Sequence, residues 1–173
     1  MSSENFTFVH IPCEGRIAEI IESKSGGLED DKCQKYAKAF FTDGTDGKAR
    51  VNSVLEHMKE QGTSEDSINP QLLASLQTMG ATIEICSLSL PTKDNNFIGV
   101  SLYCDGNAVG KGAAINARAT DLARCCGHSG LVVYGDAFIG RYYDNEDEEW
   151  SRVSISEGEV QSDAPWVISC AKV

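Results

Sequence analysis

Residues 81–104 read A-T-I-E-I-C-S-L-S-L-P-T-K-D-N-N-F-I-G-V-S-L-Y-C, and the rest of the chain has to be arranged around them. Ile83 and Ile85 alternate with Thr82 and Glu84, the period of two that a strand requires. Pro91 to Asn96 is turn-forming, and Phe97 to Cys104 is a second apolar run. Two such runs joined by a short polar turn predict an antiparallel hairpin. Asp105-Gly106 then turns the chain again.

Downstream of this hairpin, Ala113 to Cys126 has helical spacing, with Ile115, Ala119, Leu122 and Ala123 inward and Gly127 as C-terminal cap. Leu131 to Tyr134 and Ala137 to Tyr143 read as two strands or one bent strand, with Gly135-Asp136 at the bend. An ion pair between Asp136 and Arg141 is expected there. The acidic run Asp144 to Glu149 leads to a short strand at Trp150 to Ile155, and Ser156 to Val173 carries little pattern.

Upstream, Asn5 to Ile11 reads as a strand with Phe6, Phe8 and His10 on one face and Thr7, Val9 and Ile11 on the other. Arg16 to Glu22 fits either a strand or a short helix. Leu28 to Phe41 reads as a helix with Cys33, Tyr36, Ala37, Phe40 and Phe41 as its apolar stripe, and Asp30 and Asp31 suit its N-terminus. Further helices are expected over Ala49 to Gln61, capped by Gly62, and over Pro70 to Met79, capped by Asn69. The expected fold class is α+β: a single compact domain over residues 1–173, helix-rich over 1–80 and strand-rich over 81–173. Its sheet is mixed or mainly antiparallel, with helices packed on one face.

Fifteen Lys and Arg stand against 26 Asp and Glu in 173 residues, a formal net charge of −11. Nucleic-acid affinity rests on clustered Lys and Arg, and here Lys32, Lys35 and Lys38 are scattered among acids. The expectation is no nucleic-acid partner. No run approaches the roughly 20 apolar residues that span a bilayer, and Met1 to Asn5 has no basic, signal-like start, so a cytoplasmic chain without membrane insertion is expected. Seven cysteines without a C-x-x-C spacing suggest neither a zinc ribbon nor a redox motif. In a reducing compartment they are expected to be free thiols, with Cys86 and Cys104 buried in apolar strands.

Three constellations invite chemistry. Asp43 to Gly47 lies between two amphipathic helices, but an EF-hand register puts only Asp46 among its carboxylate positions and Ser53 where the bidentate Glu belongs, so no metal is expected. Gly106, Gly110, Lys111 and Gly112 fit the phosphate-binding pattern only in part, because Gly112 replaces the magnesium-binding Ser or Thr. Cys125, Cys126 and His128 bring thiols and an imidazole together. They sit at a helix C-terminus, however, where the dipole disfavours thiolate. No cofactor is expected from these patterns.

Asn95-Asn96-Phe97, Ala119 to Gly127, Tyr134-Gly135-Asp136-Ala137-Phe138-Ile139-Gly140-Arg141 and Ala164-Pro165-Trp166 resemble a domain that precedes MYND-type zinc fingers in algal and other protist proteins. The resemblance covers about the last 80 residues and does not extend to the finger, whose Cys/His-dense segment is not present here. It implies a noncatalytic accessory or interaction domain and carries over no site residues.

The functional expectation is therefore a noncatalytic protein-interaction or complex-subunit domain whose partner is another protein with a basic surface. Its contact residues are Asp144, Glu146, Asp147, Glu148, Glu149 and Trp150. The alternative is a small enzyme or ligand-binding protein with a pocket near Gly110, Lys111, Gly112, Cys125, Cys126 and His128.

Overall fold

The computed structural model describes residues 4–24, 27–43, 55–64, 69–71, 83–109 and 111–171. Six strands form one antiparallel sheet: β1 (Asn5–Ile11), β2 (Ala18–Ser23), β3 (Ile83–Ser89), β4 (Ile98–Asp105), β5 (Ala137–Tyr143) and β6 (Ser151–Val153). Their order is β2-β1-β5-β4-β3, with β6 also paired to β5. One edge of β5 is thus shared, since Ala137 to Ile139 pair with β1 and Arg141 to Tyr143 pair with β6. Beyond β6 the chain returns to β1, where Ile155 N donates to Thr7 O at 2.9 Å. The expected hairpin is β3–β4, and the segment that fitted strand or helix is β2.

The α+β class and the antiparallel sheet are as expected, but helices cover both faces of the sheet rather than one. Strand parity explains this. Phe6 and Phe8 of β1, Tyr103 of β4 and Phe138 of β5 form one buried cluster, closed by Cys33, Ala37 and Phe41 of helix α1 (Lys32–Asp43). Val9, Ile11, Leu102, Cys104 and Ile139, one residue out of phase, form the other. That second face is closed by helices α2 (Ala117–Cys125) and α3 (Pro165–Cys170). Strands that are apolar on both faces need a cover on each.

Helix α2 begins at Ala117 rather than Ala113 because Asn116 caps it. The fully buried Asn116 accepts from Ala119 N at 3.1 Å and donates Nδ2 to Ile11 O and Gly135 O, both at 2.9 Å. It thereby ties a helix start to β1 and to the bend before β5. Ala119, Leu122 and Ala123 point inward as expected, but Ile115 lies before the cap and is exposed. Gly127 ends the helix with φ +94°, and His128 N donates back to Ala123 O at 3.0 Å.

Residues 131–134 are not a strand; Tyr134 makes only an isolated bridge to Ile115. The weakly patterned tail supplies α3 and buries Val160, Ala164 and Val167. Cys104 is buried and Cys86 half-buried, and all seven cysteines are free thiols. Of the two other expected helices, residues 55–60 are helical with Gly62 at φ +81° after them, and Asn69 Oδ1 accepts from Gln71 N at 2.9 Å; most of both lies outside the described residues. The turn 44–47 also lies outside them.

The expected pair between Asp136 and Arg141 is absent. The two are an odd number of residues apart, so a strand sends them to opposite faces. Asp136 instead accepts from His10 Nε2 at 2.8 Å and from Cys13 N at 2.9 Å. Arg141 donates to Glu159 at 3.0 Å.

Candidate functional site

The acidic run and Trp150 sit where β5 turns into β6. Asn145 organises the turn: its Oδ1 accepts from Asp147 N at 3.3 Å, its carbonyl accepts from Glu148 N at 3.0 Å, and its Nδ2 donates to Tyr143 Oη at 3.2 Å. Asp144, Glu146, Asp147, Glu148 and Glu149 are exposed, and their carboxylates make no ion pair or hydrogen bond among the described residues. Trp150 ends the turn as a half-buried anchor, stacked on Tyr142 at 6.1 Å and 24°.

Beneath Trp150 lies a buried ion pair, Arg152 with Asp31. The Arg152 guanidinium lies 5.0 Å from the Trp150 ring centroid and 5.5 Å from that of Tyr103, a cation held between two aromatic faces. Its Nε and Nη2 donate to Asp31 at 2.8 and 2.5 Å, and Nη2 also donates to Tyr103 Oη at 2.5 Å. Asp31 accepts in addition from Cys33 N at 3.1 Å, so one carboxylate opens α1 and neutralises a buried cation. The side chains of Arg152 and Asp31 are only 4% and 6% exposed.

Electrostatics follow from that burial. Burial works against the Arg152 charge, but the bonds to Asp31 outweigh it and hold the guanidinium protonated beyond its usual range. Burial pushes the Tyr103 hydroxyl up, against the pull of Arg152, and pushes the Cys33 thiol up to about 12. All three groups therefore keep one protonation state at neutral pH. Gly140 is required here, because a Cβ at this position would lie 2.7 Å from Arg152 Nη1 and 2.9 Å from Cys33 Sγ.

An open cleft of about 280 Å³ adjoins this assembly, lined by Lys24, Lys32, Asp30, Glu149, Trp150 and Arg152 among others. Its rim mixes both signs of charge: Lys32 pairs with Asp30 at 3.3 Å, and Lys24 with Glu4 at 3.4 Å. Its lining holds both hydrogen-bond donors and acceptors.

The alternative set of residues is divided between the two faces of the sheet. Lys111 donates to Asp105 Oδ2 at 2.6 Å and to Phe41 O at 2.9 Å, closing the end of α1 on one face. Gly112 has φ +74°, which favours glycine; Gly110 lies outside the described residues. Cys125, Cys126 and His128 lie on the other face, packed toward β3, where His128 Nε2 donates to Ser87 O at 2.9 Å. Burial first, then neighbouring Cys170, Cys125 and Cys86, push the Cys126 thiol up to about 12, the opposite of the depressed value that a thiolate nucleophile needs. A cleft of about 190 Å³ beside Lys111 is lined by Phe40, Phe41, Asp105 and Asp136, not by these cysteines or His128.

Sequence reasoning missed Asp31 and Arg152 as a pair, and likewise His10 with Asp136. Their partners are 121 and 126 residues apart, and no local pattern joins them. Among the described residues no group of three His, Cys, Asp or Glu side chains is placed to hold a metal, and no helix is long and apolar enough to cross a membrane. No protein-family model matches this chain, nor does any curated protein or solved structure.

Proposed function

We propose that this protein is a noncatalytic interaction domain, a subunit of a larger assembly, that receives a basic segment of another protein on the turn Asp144 to Trp150. One observation carries the reading. Five exposed carboxylates have no internal cation among the described residues, while the residue that ends their turn, Trp150, is held by Tyr142 and Arg152. The charge is thus presented on a fixed support. Anchoring matters, because an interface gains little from charges whose ordering it must itself impose. Acidic rim groups steer a basic partner and raise its association rate, and an aromatic anchor at their edge is the usual centre of binding energy. The resemblance to the domain that precedes MYND-type fingers points to the same class.

The test is a comparison of the native chain with the variant Glu146→Lys/Asp147→Lys/Glu148→Lys, each isolated from its own source and weighed intact by native mass spectrometry. A partner chain bound stoichiometrically to the native protein and absent from the variant is the expected result. Equal recovery of that partner with both proteins removes the acidic turn as the contact. A bare monomer in both cases removes the stable-subunit reading.

A further inference from the structure

On the face opposite α1, the described helices α2 and α3 leave a cavity at one corner of the sheet. The register brings four residues into a row across four strands: Ser89 of β3 pairs with Val100 of β4, Val100 with Arg141 of β5, and Arg141 with Val153 of β6. With Ile98 as further floor and Trp166 of α3 as a wall, this row bounds a cavity of about 260 Å³. Val100, Val153, Ile98 and Trp166 make it largely apolar, and among the described residues Arg141 is its one charged lining residue.

The bonding of Arg141 is incomplete. A guanidinium has five N–H donors. Nη1 uses both of its own, on Ser154 O at 3.1 Å and Glu159 Oε1 at 3.0 Å. Nε and Nη2 make no hydrogen bond among the described residues and keep access to solvent, so both are available to a ligand. Glu159 cannot swing across to them. Its Oε2 accepts from Ser156 N at 2.8 Å and from Ser156 Oγ at 3.1 Å, which fixes the carboxylate on the Nη1 side. Trp166 is fixed as well, by donation of Nε1 to Glu159 O at 2.6 Å. Of the two neutral polar residues of the lining, Ser89 and Asn95, the Asn95 side chain is engaged within its turn, accepting from Thr92 N and donating to Leu90 O.

We infer that this cavity is a binding site for a small monocarboxylate with an apolar body. The Nε–Nη2 edge of a guanidinium presents two parallel donors that match the two oxygens of a carboxylate. Arg152 uses that same edge on Asp31 in this protein. An amine would meet the guanidinium with like charge, and an alcohol would satisfy at most one of the two donors. The apolar floor takes the hydrocarbon part, and the cavity volume limits it to a fragment-sized chain or single ring. This site is separate from the acidic turn and does not depend on its role.

The experiment is a titration of the full chain with hexanoate and, separately, with 1-hexanol, followed by amide and indole N–H chemical shifts. Hexanoate is expected to move Val100, Val153 and the Trp166 indole saturably in the millimolar range or below, at least tenfold more tightly than hexanol. Arg141→Gln is expected to bring hexanoate down to the hexanol level. Because Arg141 also holds Ser154 and Glu159, Val153→Phe serves as the second variant: it fills the cavity, keeps the guanidinium and is expected to weaken both probes. No saturable shift at those three residues in the native chain overturns the inference. So does equal affinity for the two probes, or hexanoate binding undiminished in Val153→Phe.

Discussion

Replacing Asp31 by Ala should be among the most damaging single changes outside the apolar core, and replacing it together with Arg152 should be milder. The carboxylate of Asp31 accepts two of the three hydrogen bonds that Arg152 makes and one from Cys33 N. Arg152 Nη1 already has no partner among the described residues. In Asp31→Ala the guanidinium keeps only the Tyr103 hydroxyl while remaining buried, at 4% exposure. Breaking one side of such a pair costs about 3–5 kcal/mol, because the surviving charge stays desolvated. A native domain has a total stability of about 5–15 kcal/mol, so the variant loses about a fifth of it or more. At roughly 2–4 °C per kcal/mol for a chain of this size, the melting temperature should fall by about 6–20 °C. Asp31→Leu/Arg152→Met removes both charges and should recover about 2 kcal/mol or more of the loss, despite forfeiting the contact with Trp150. Urea unfolding of the native chain, the single variant and the double variant measures all three. The reasoning fails if the double variant is as unstable as Asp31→Ala, or if Asp31→Ala costs less than about 1 kcal/mol.

Gly140→Ala should cost about 1–3 kcal/mol in the same assay, since its Cβ would press on Arg152 Nη1 at 2.7 Å and Cys33 Sγ at 2.9 Å; unchanged stability would show that this region repacks freely. Asn116→Ala should cost about 2 kcal/mol or more and expose the Ala119 amide to faster hydrogen exchange, because a cap and two buried carbonyl partners are lost together. Cys33, Cys104 and Cys126, each raised by burial to about 12, should resist iodoacetamide at pH 8 in the folded protein and react on unfolding. The same shifts give stability a pH dependence. These thiols hold their protons in the folded state after the unfolded chain has lost them, so their contribution is full below about pH 9 and declines as pH rises toward 12. Unfolding midpoints measured from pH 8 to 11 that do not fall would contradict this sign.

Much of the architecture was legible because the signals are local. A period of two marks β1 and β3, and an apolar run marks β4; a period near 3.6 marks α1 and the inward residues of α2; Gly62 and Gly127 mark helix ends. The charge of the acidic turn and the aromatic that ends it are also visible without coordinates. Failures came where local rules were silent. The capping role of Asn116 depends on Ile11 O and Gly135 O, far along the chain, so the start of α2 was placed too early. The tail looked patternless because a six-residue helix shows less than two turns of its period. Apolar residues of both parities in β1 and β5 already implied a sheet covered twice, a reading that the one-sided arrangement overlooked.

The sequence by itself determined the α+β class, the hairpin, the acidity and the position of the exposed carboxylates, since propensity, periodicity and charge reside in neighbouring residues. Only the tertiary structure decided which charges are spent and which remain available. Arg152 is neutralised by a residue 121 positions away, Asp136 turns to His10 instead of Arg141, and Arg141 donates to Ser154 O and Glu159 while lining an apolar cavity. Strand pairing brings distant residues within a few ångströms, and burial then makes each unpaired donor or charge costly. That cost, which no local window of sequence contains, is what separates a structural ion pair from a group left free to bind.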